Sequence, residues 1–313
     1  MKPIVVVGSI NMDLVSRTER IPHAGETILG ADFQLHSGGK GANQAAAVAR
    51  IGHPSILLGA TGNDIFGEQL RRTLAGYGVQ TEHIASVPGA SGTASIVVDA
   101  RGENTIIVTP GANLAVTQEY LQGKIDVLRG AGMVLVQLEI PIETVAWLVE
   151  CCDKMGVPVM LDPAPACKLP EALLAKLTWF TPNETEAGFY ADGAENADEA
   201  LSRLFAFGME HVILKQSSKG ALIASHSGER CYADAFKVDA VDSTAAGDAF
   251  NGAFAVALMR GMSVHESARF AAAAAAISVT RAGAQPSLAT EEETQAFLSV
   301  HTDMHSLRQN PSF

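Results

Sequence analysis

Short apolar runs alternate along the chain with segments of helical periodicity. The first run, Ile4–Val7, is a continuous stretch of branched residues, which is typical of a parallel strand buried on both faces. The pattern predicts further strands at residues 57–60, 133–138, 157–161, 179–181 and 211–215, and helices up to residue 50, at 65–77, 142–155 and 170–177, from 184, and at 197–207, 250–258 and 268–279. Because strands and helices alternate, we predict an α/β fold: a three-layer, doubly wound, mostly parallel sheet with helices on both faces.

Two segments break this alternation. Residues 14–34 lack a helical period, and residues 93–98 and 105–108 have the composition of short strands joined at Arg101-Gly102-Glu103. We predict a small β-sheet lid, formed by about residues 11–36 and 91–110, that covers a site and excludes water. No Pro-rich linker or internal repeat divides the chain, so residues 1–300 are predicted to be one domain, followed by a polar tail at 301–313.

Composition excludes several classes of function. The net charge is −12, which argues against a nucleic-acid surface because phosphate backbones require concentrated lysine and arginine. The longest apolar run, at residues 270–279, is too short to span a bilayer, and the early strand leaves no room for a signal peptide. The four cysteines have neither metal-site spacing nor a disulfide framework. We therefore expect a soluble cytoplasmic protein with no nucleic-acid or membrane partner.

A turn of small residues at 243–247 leads directly into the predicted helix at 250–258. Unpaired backbone N–H groups and the positive end of the helix dipole make such a helix start an anion site. Asp248 lies in the first turn of this helix. Two interpretations are open. Its carboxylate is either a helix-capping group, or a general base that takes a proton from an attacking hydroxyl beside the anion site.

Polar residues recur directly after the predicted strands, at Asn11, Asp13, Glu139, Asp162, Asn183 and Glu186. Each type is also common in turns and helix caps. However, the carboxyl ends of parallel strands share one sheet edge, which is where open α/β sheets bind ligands. Asn183 and Glu186 either complement a helix dipole or support Mg²⁺ through water beside phosphates.

A glycine-rich loop at residues 37–41 opens the first Ala-rich helix. Its glycines allow the backbone to approach a small polar ligand, and Lys40 and Asn43 can donate hydrogen bonds to hydroxyl groups. The alternative is a plain strand-to-helix turn with an exposed lysine. The loop does not match a P-loop, and no dinucleotide fingerprint follows the first strand.

The C-terminal third contains two further candidate loops. Residues 215–220 follow a predicted strand and are placed to face a nucleotide. The irregular turn at 281–287 has carbonyl groups that, with Asp242, could bind a monovalent cation. His301 and His305 are four residues apart, but without a third ligand nearby we expect no metal site there.

Five motifs together resemble the ribokinase-like sugar kinase family. They are GSINMD at 8–13, GGKGAN at 38–43, QLE at 137–139, PNETE at 182–186 and DSTAAGD at 242–248. The similarity runs in order over residues 4–298, and the two glycine-centred motifs are the signatures of the family. Lysine in the GGKGAN motif is more typical of members that act on ribose or deoxyribose than of fructokinases or adenosine kinases.

The resemblance implies ATP-dependent phosphorylation of D-ribose at O5, which gives D-ribose 5-phosphate. It makes Asp248 the base on the 5-hydroxyl, and it makes Ala245, Ala246 and Gly247 the anion hole. The sugar-binding positions that it implies are Asn11, Asp13, Gly39, Lys40, Asn43, Glu139 and Asp248.

The cofactors implied by the resemblance are ATP, Mg²⁺ and K⁺ as a monovalent activator. Nucleotide-binding positions are implied at Asn183, Glu186, Lys215, Ser217, Ser218, Gly220, Gly247 and Ala272, the first two also supporting Mg²⁺. Potassium-binding positions are implied at Asp242, Thr244, Ser278, Arg281, Gly283 and Ser287. The lid is also the dimer interface in this family, which implies a homodimer.

Two residues depart from the family pattern. Ser217 replaces a glycine that is usual in the nucleotide loop, and Asp162 stands where related kinases often carry asparagine. One alternative is a kinase of the same family that acts on deoxyribose, a ketohexose or a nucleoside, because sugar discrimination depends on a few hydroxyl contacts. A second alternative, from a different class, is a sugar-responsive binding protein without turnover.

Overall fold

The computed structural model describes residues 1–301. Its strands are β1 Ile4–Val7, β2 Asn11–Arg17, β3 Asp32–Gly38, β4 Ser55–Leu58, β5 Ala60–Gly62, β6 Ala85–Val87, β7 Gly92–Val98, β8 Asn104–Thr109, β9 Met133–Val136, β10 Val159–Leu161, β11 Trp179–Phe180, β12 His211–Lys215, β13 Ala221–Ser225 and β14 Arg230–Ala233. Its helices are α1 Lys40–Arg50, α2 Ile65–Gly76, α3 Gln118–Gln122, α4 Ile125–Gly130, α5 Ile142–Met155, α6 Glu171–Leu174, α7 Glu184–Tyr190, α8 Ala197–Phe205, α9 Ala246–Met259, α10 Val264–Val279 and α11 Glu291–Val300. Short 3₁₀ turns lie at Gly111–Ala115, Ser217–Lys219 and Gln285–Ser287.

A large sheet forms the centre of the fold, with strand order β14-β13-β12-β11-β10-β9-β1-β4. All pairs from β12 to β4 are parallel, whereas β13 and β14 are added antiparallel at one edge. Its parallel strands end at a common edge, which carries several of the polar residues predicted as candidates.

Two hydrophobic cores lie on opposite faces of this sheet, as β1 illustrates. Ile4 and Val6 belong to the core formed with α1, α9 and α10, whereas Val5 and Val7 belong to the core formed with α5 and α8. A strand buried on both faces has no polar alternation, which explains its continuous apolar sequence. The predicted three-layer, mostly parallel α/β fold is confirmed.

Helices α1 and α9 pack on each other through small residues. A Cβ atom on Gly252 of α9 would lie 2.6 Å from the Cβ of Ala47 and 3.2 Å from the carbonyl oxygen of Gln44 on α1. Only glycine permits this approach of two backbones. The start of α1 is equally close to β1, because a Cβ on Gly41 would lie 2.6 Å from the backbone nitrogen of Ser9.

A separate four-stranded sheet, which we call the small sheet, has the order β3-β2-β7-β8. Its strands fall within residues 11–38 and 92–109, close to the predicted lid segments 11–36 and 91–110. The structure therefore contains a small sheet at the predicted place. Its action as a lid and the domain limits drawn from the sequence remain predictions.

Several elements differ from the sequence prediction. The helix expected at 170–177 is a single turn at Glu171–Leu174, and the run at 57–60 is divided between β4 and β5. Helix α10 begins at Val264 rather than at residue 268, because Ser263 and Glu266 form a capping box there. Within residues 1–301, no helix combines the length and hydrophobicity required to cross a membrane. The predicted tail beyond His301, including His305, lies outside the described residues.

Candidate active site

A cavity of about 570 Å³ opens at the edge where the parallel strands of the large sheet end. Many of the predicted site residues line it: Lys40, Asn183, Glu186, Lys215, Ser217, Ser218, Gly220, Ala245, Ala246, Gly247, Asp248 and Ala272. The other predicted sugar-binding positions, which cluster around Lys40 and Asp248 outside the wall of this cavity, are Asn11, Asp13, Gly39, Asn43 and Glu139.

Asp248 lies in the first turn of α9 and is buried, with 5% of its surface exposed. Its carboxylate accepts hydrogen bonds from Asn43 Nδ2 at 2.9 Å and from Gln44 Nε2 at 3.0 Å, both on α1. The carboxylate therefore bonds across the site, and no side chain caps the start of α9. Burial raises the pKa of Asp248 to about 6; Lys40 opposes this increase, whereas the charge of Asp162 adds to it.

The turn before α9 has the form of an anion site. Ala245 adopts the left-handed conformation, with φ of 60°. The N–H of Ala246 donates to the carbonyl of Ser243 at 3.2 Å, so it is already partly engaged. Among the described residues, the N–H groups of Ala245, Gly247 and Asp248 have no acceptor. The anion hole at Ala245, Ala246 and Gly247 stays a prediction; the N–H groups of Ala245 and Gly247 are free to bind an anion, and the N–H of Asp248 is a further free donor beside them.

Lys40 is the first residue of α1 and is half-buried beside the carboxylates of the site. Burial alone would lower its pKa, but the charges of Asp248, Asp162, Glu139 and Glu186 raise the pKa above its ordinary value. Its ammonium group is therefore a permanent positive charge among acids.

Gly39, just before α1, explains how this loop reaches the site. Its φ is 88°, and a Cβ atom at this position would lie 2.7 Å from the backbone nitrogen of Asn11. A side chain here would separate the loop from β2, so the glycine is required.

Asp13 and Glu139 add two more acids beside the cavity. Glu139 Oε2 accepts hydrogen bonds from Ser9 Oγ at 2.5 Å and from the backbone N–H of Lys40 at 3.3 Å. Burial, followed by the charges of Glu139 and Asp248, raises the pKa of Asp13 to about 7. Asp13 is on the small sheet and Asp248 is on α9, so two separate elements bring these interacting acids close to each other.

Three buried amide side chains were not predicted from the sequence. Asn113 Nδ2 donates to Asn11 Oδ1 at 2.7 Å and holds that side chain in place. Gln44 Nε2 donates to both Asp162 and Asp248 at 3.0 Å, and its Oε1 accepts from Gln137 Nε2 at 2.7 Å. The motif GGKGAN ends one residue before Gln44, and neutral amides have no diagnostic spacing. Only their three-dimensional contacts identify them.

Asn183 and Glu186 form a capping box at the start of α7. Asn183 Oδ1 accepts from the Glu186 N–H at 2.8 Å, and the Glu186 carboxylate accepts from the Asn183 N–H at 2.8 Å and from its Nδ2 at 3.0 Å. The capping interpretation thus accounts for their hydrogen bonds, although both residues also line the cavity. Burial and the charge of Asp162 raise the pKa of Glu186.

The half of the cavity that the sequence predicts to bind a nucleotide combines the loop after β12 with an apolar wall. Phe236, Val238, Ala272, Ala276 and Val279 provide that wall, which suits a flat ring system. Ser217 has φ of 49°, in the left-handed region where glycine is favoured. This conformation explains why a glycine is usual at that position, and the Ser217 side chain is accommodated at the cavity wall.

The six predicted potassium positions lie outside the cavity wall. Asp242 links the loop at residues 242–244 to the loop at 281–287. Its carboxylate accepts hydrogen bonds from the N–H groups of Thr244 and Gly283, both at 2.9 Å. Ser278 Oγ and Ser287 Oγ are 2.8 Å apart, whereas the Arg281 guanidinium pairs with Glu293. Burial would raise the pKa of Asp242, but these hydrogen bonds lower it below its ordinary value.

Comparison with known proteins gives a consistent assignment. Residues 1–291 match the model of the pfkB family carbohydrate kinases. The chain is 39% identical over 300 residues to the ribokinase of Bacillus subtilis, covering 96% of this chain and 100% of the relative. It is 35% identical to the deoxyribokinase of Salmonella typhi, covering 95% and 99%. The structure of Arabidopsis thaliana ribokinase complexed with ribose and ATP superposes with a TM-score of 0.90 at 35% identity, covering 95% and 98%. The chain therefore belongs to the pfkB family of carbohydrate kinases, as the predicted resemblance to the ribokinase-like sugar kinases implies.

Proposed function

We propose that this sugar kinase transfers the γ-phosphoryl group of ATP to O5 of D-ribose, giving D-ribose 5-phosphate and ADP in the cytoplasm. The observation that carries the proposal is the position of Asp248. Its buried carboxylate faces Asn43 and Gln44 on α1, and it directly follows the turn whose free N–H groups border a nucleotide-sized cavity. The matched ribokinases support ribose as the acceptor.

In the proposed reaction, Asp248 takes the proton from the 5-hydroxyl while the new O5–phosphorus bond forms and the bond to ADP breaks. The N–H groups at Gly247 and Asp248 would stabilise the negative charge of the phosphoryl oxygens during transfer. Asn11, Asp13, Lys40, Asn43 and Glu139 would orient the sugar through its hydroxyl groups, with Gly39 allowing the backbone to come close.

Two cations fit the residues that are present. Both oxygens of Glu186 accept hydrogen bonds from Asn183, so this pair would hold Mg²⁺ through water, and the ion would neutralise phosphate charge. The loops at residues 242–244 and 281–287 offer backbone carbonyl groups, and the buried side-chain amide of Gln285, in the second loop, has no partner among the described residues. These oxygens suit a hard monovalent cation such as K⁺, which would stabilise the turn before α9.

The experiment that tests the proposal is a coupled assay of ADP formation with a panel of acceptors. We expect ribose to give the highest kcat/KM of the panel, which also contains deoxyribose, ketohexoses and nucleosides. Preference for deoxyribose would favour the alternative that the matched deoxyribokinase represents. Sugar binding without any ADP formation would instead indicate the non-catalytic binding protein.

The activity should fall at acidic pH, because Asp248 must be ionised to act as a base. With the pKa of Asp248 raised to about 6 and that of the neighbouring Asp13 to about 7, kcat/KM should decrease about tenfold per pH unit once the pH is below both pKa values.

The free energy of unfolding should respond to pH in the opposite direction to kcat/KM: it should fall as the pH rises. Both pKa values are raised from 3.8, so the folded state binds more protons and loses stability as pH rises from about 4 to 7. Rate measurements and urea unfolding across this range test both; a flat rate profile from pH 5 to 8 would contradict the assignment.

We also propose that the small sheet is a lid that pairs with a second copy of the chain. All six residues of β8 are exposed, and Ile106, Ile107 and Val108 are 52%, 65% and 45% exposed. Adjacent strand residues point to opposite faces, so both faces of this edge strand are uncovered and apolar. An exposed apolar edge strand is unfavourable in a monomer.

Replacing Ile107 with aspartate should convert a dimer into a monomer, because the introduced charge would be buried at the interface. Ile65→Asp is the matched control, since Ile65 is also an exposed isoleucine, at 79%, but lies on α2. Sedimentation equilibrium of the wild type and both variants measures the oligomeric state. A monomeric wild type, or a dimeric Ile107→Asp variant, would contradict the lid interface.

A further inference from the structure

A buried hydrogen-bonded cluster of two amides and two carboxylates includes the proposed base. Gln44 on α1 is its centre, because its Nε2 donates to Asp248 Oδ1 and to Asp162 Oδ2, both at 3.0 Å. Its Oε1 accepts from Gln137 Nε2 at 2.7 Å. The four residues are at most 5% exposed, so each of these groups depends on the others for its hydrogen bonds.

Gln137 holds Gln44 from the side of the large sheet. It directly follows β9, and Gly8 directly follows the neighbouring strand β1. A Cβ atom on Gly8 would lie 2.1 Å from Gln137 Oε1 and 2.8 Å from the Cα of Gly41, so the glycine leaves room for this side chain. Gly8 and Gln137 belong to the motifs GSINMD and QLE, and neither has a part in the proposed reaction. Their packing gives them one, because it places Gln44 within reach of both carboxylates.

The two carboxylates that Gln44 joins have different partners. Lys215 Nζ lies 3.1 Å from Asp162 Oδ1. The side-chain donors to Asp248, in the part of the chain that the structure describes, are the neutral amides of Asn43 and Gln44. A cation thus contacts Asp162 directly, whereas neutral groups bind Asp248. This difference makes Asp248 the better proton acceptor of the two.

Charged groups act on Asp248 from several elements. Burial is the main cause of its raised pKa, Lys40 on α1 opposes the increase, and Asp162 adds to it. Asp13, on the small sheet, is a further acid that interacts with Asp248. The other acids around Lys40 are Glu139 and Glu186. Of these acids within residues 1–301, Asp162 is the one that shares a hydrogen-bond donor with Asp248.

We propose that Gln44 is the positioning residue of the proposed base: it holds Asp248 and Asp162 side by side, which fixes the orientation of Asp248 and lets the negative charge of Asp162 strengthen it as a proton acceptor. This inference rests on the proposed function and adds a positioning residue to its machinery. A general base requires fixed geometry and a proton affinity matched to the operating pH, and a like charge beside it raises that affinity. The alternative is that Gln44 only satisfies buried polar groups.

The first test replaces Gln44 with methionine, which has a similar length and cannot donate to a carboxylate. We expect kcat at pH 8 to fall about 10- to 100-fold, because Asp248 loses a fixed donor, while the KM for the sugar changes by less than about threefold. Gln69→Met is the matched control and should keep wild-type kinetics, since Gln69 is a half-buried amide on α2 outside the cavity wall. Unchanged kcat in Gln44→Met would overturn the positioning role. If this variant does not fold, Gln44→Asn replaces it, because its shorter amide cannot reach both carboxylates.

The second test removes the charge of Asp162 and keeps its shape. Asp162→Asn introduces the residue that related kinases often carry, and its side-chain oxygen can still accept from Gln44. We expect the acid limb of kcat/KM to move to lower pH by about half to one pH unit, because a negative charge beside Asp248 is lost and the freed charge of Lys215 acts in the same direction. Asp126→Asn, an exposed substitution on α4, should leave the profile unchanged. A profile that does not move to lower pH would overturn the proposed effect of Asp162.

The titration of Asp248 can also be followed without turnover. In protein labelled with carbon-13 at the aspartate carboxyl groups, the signal that Asp248→Asn lacks belongs to Asp248. In the ligand-free protein its midpoint should fall by about half to one pH unit in Asp162→Asn and stay unchanged in Asp126→Asn.

These readouts separate the proposal from a structural role and from the proposed function. If Gln44 only satisfied buried polar groups, its substitution would lower the free energy of unfolding but leave kcat unchanged, which would overturn the proposal. A carbon-13 midpoint that does not fall in Asp162→Asn would also overturn it. A wild type that turns over no sugar would refute the proposed function, while the carbon-13 comparison would still decide whether Asp162 acts on Asp248.

Discussion

Replacing Asp248 with asparagine is expected to lower kcat by about two to four orders of magnitude, because the amide cannot accept the proton of the sugar hydroxyl. The fold should be retained, since asparagine has the same shape and α9 is packed by its other residues. One oxygen can still accept from Asn43 or Gln44, but the new NH₂ group meets the other donor, so a cost of about 1 kcal/mol in stability is expected. Steady-state kinetics and urea unfolding measure the two effects separately.

Asp126→Asn is the control for this substitution. Asp126 lies on α4 with its side chain 89% exposed, so the same chemical change there should leave both turnover and stability unaffected. Sugar affinity of Asp248→Asn, measured by calorimetry, should fall far less than kcat. Near-normal turnover in Asp248→Asn would remove this residue as the base and return it to a positioning role.

Replacing Lys40 with methionine is expected to cut sugar phosphorylation severely and to destabilise the fold. Lys40 is the cation that faces the acids Asp248, Asp162, Glu139 and Glu186. Without it these carboxylates repel one another, and the free energy of unfolding near pH 8 should fall by about 3 kcal/mol. Turnover should fall below about one hundredth of the wild-type value, because the sugar would lose a charged donor and the pKa of Asp248 would rise further.

The stability loss in Lys40→Met should depend on pH with a defined sign. Removal of the positive charge raises the pKa values of the nearby carboxyl groups, so the difference from wild type is largest where they are ionised and shrinks towards pH 5. Denaturant titrations at pH 5 and pH 8 measure this change, and Lys219→Met serves as the exposed control. A stability loss that is independent of pH would show that Lys40 acts through packing rather than charge.

The fold was predictable because the patterns that specify it, apolar strands alternating with periodic helices, are local in the sequence and repeat along the chain. Continuous apolar runs such as β1 are possible only where helices cover both faces of a strand, and the alternation of strands and helices defines the layers. The antiparallel strands β13 and β14 were not predicted, because Ala221–Ser225 and Arg230–Ala233 are only five and four residues long, and runs that short do not distinguish a strand from a loop by their pattern. Antiparallel pairing with the strand that precedes each of them, rather than composition, places them at the edge of the large sheet.

The candidate site was only partly predictable, for a related reason. Glycine and charged motifs identified the loops around Lys40 and Asp248, since close approach and charge require particular residues. The contact between Asp162 and Lys215 joins two strand ends that are 53 residues apart, and no local pattern indicates it. No role in the site was predicted for Gln44 either, because a neutral amide indicates a site only when its acceptors, here Asp162 and Asp248, are known.

The tight packing of α9 on α1 at Gly252 has a consequence for how such a kinase could acquire a new acceptor. The two helices that carry Asp248, Lys40 and Asn43 cannot accept a larger side chain at this contact without moving apart, so substitutions there would displace that half of the pocket. Asn11 and Asp13 belong instead to a strand of the small sheet. If the small sheet acts as the proposed lid, evolution or engineering of acceptor preference should therefore change residues of that sheet and leave the contact between the two helices unchanged.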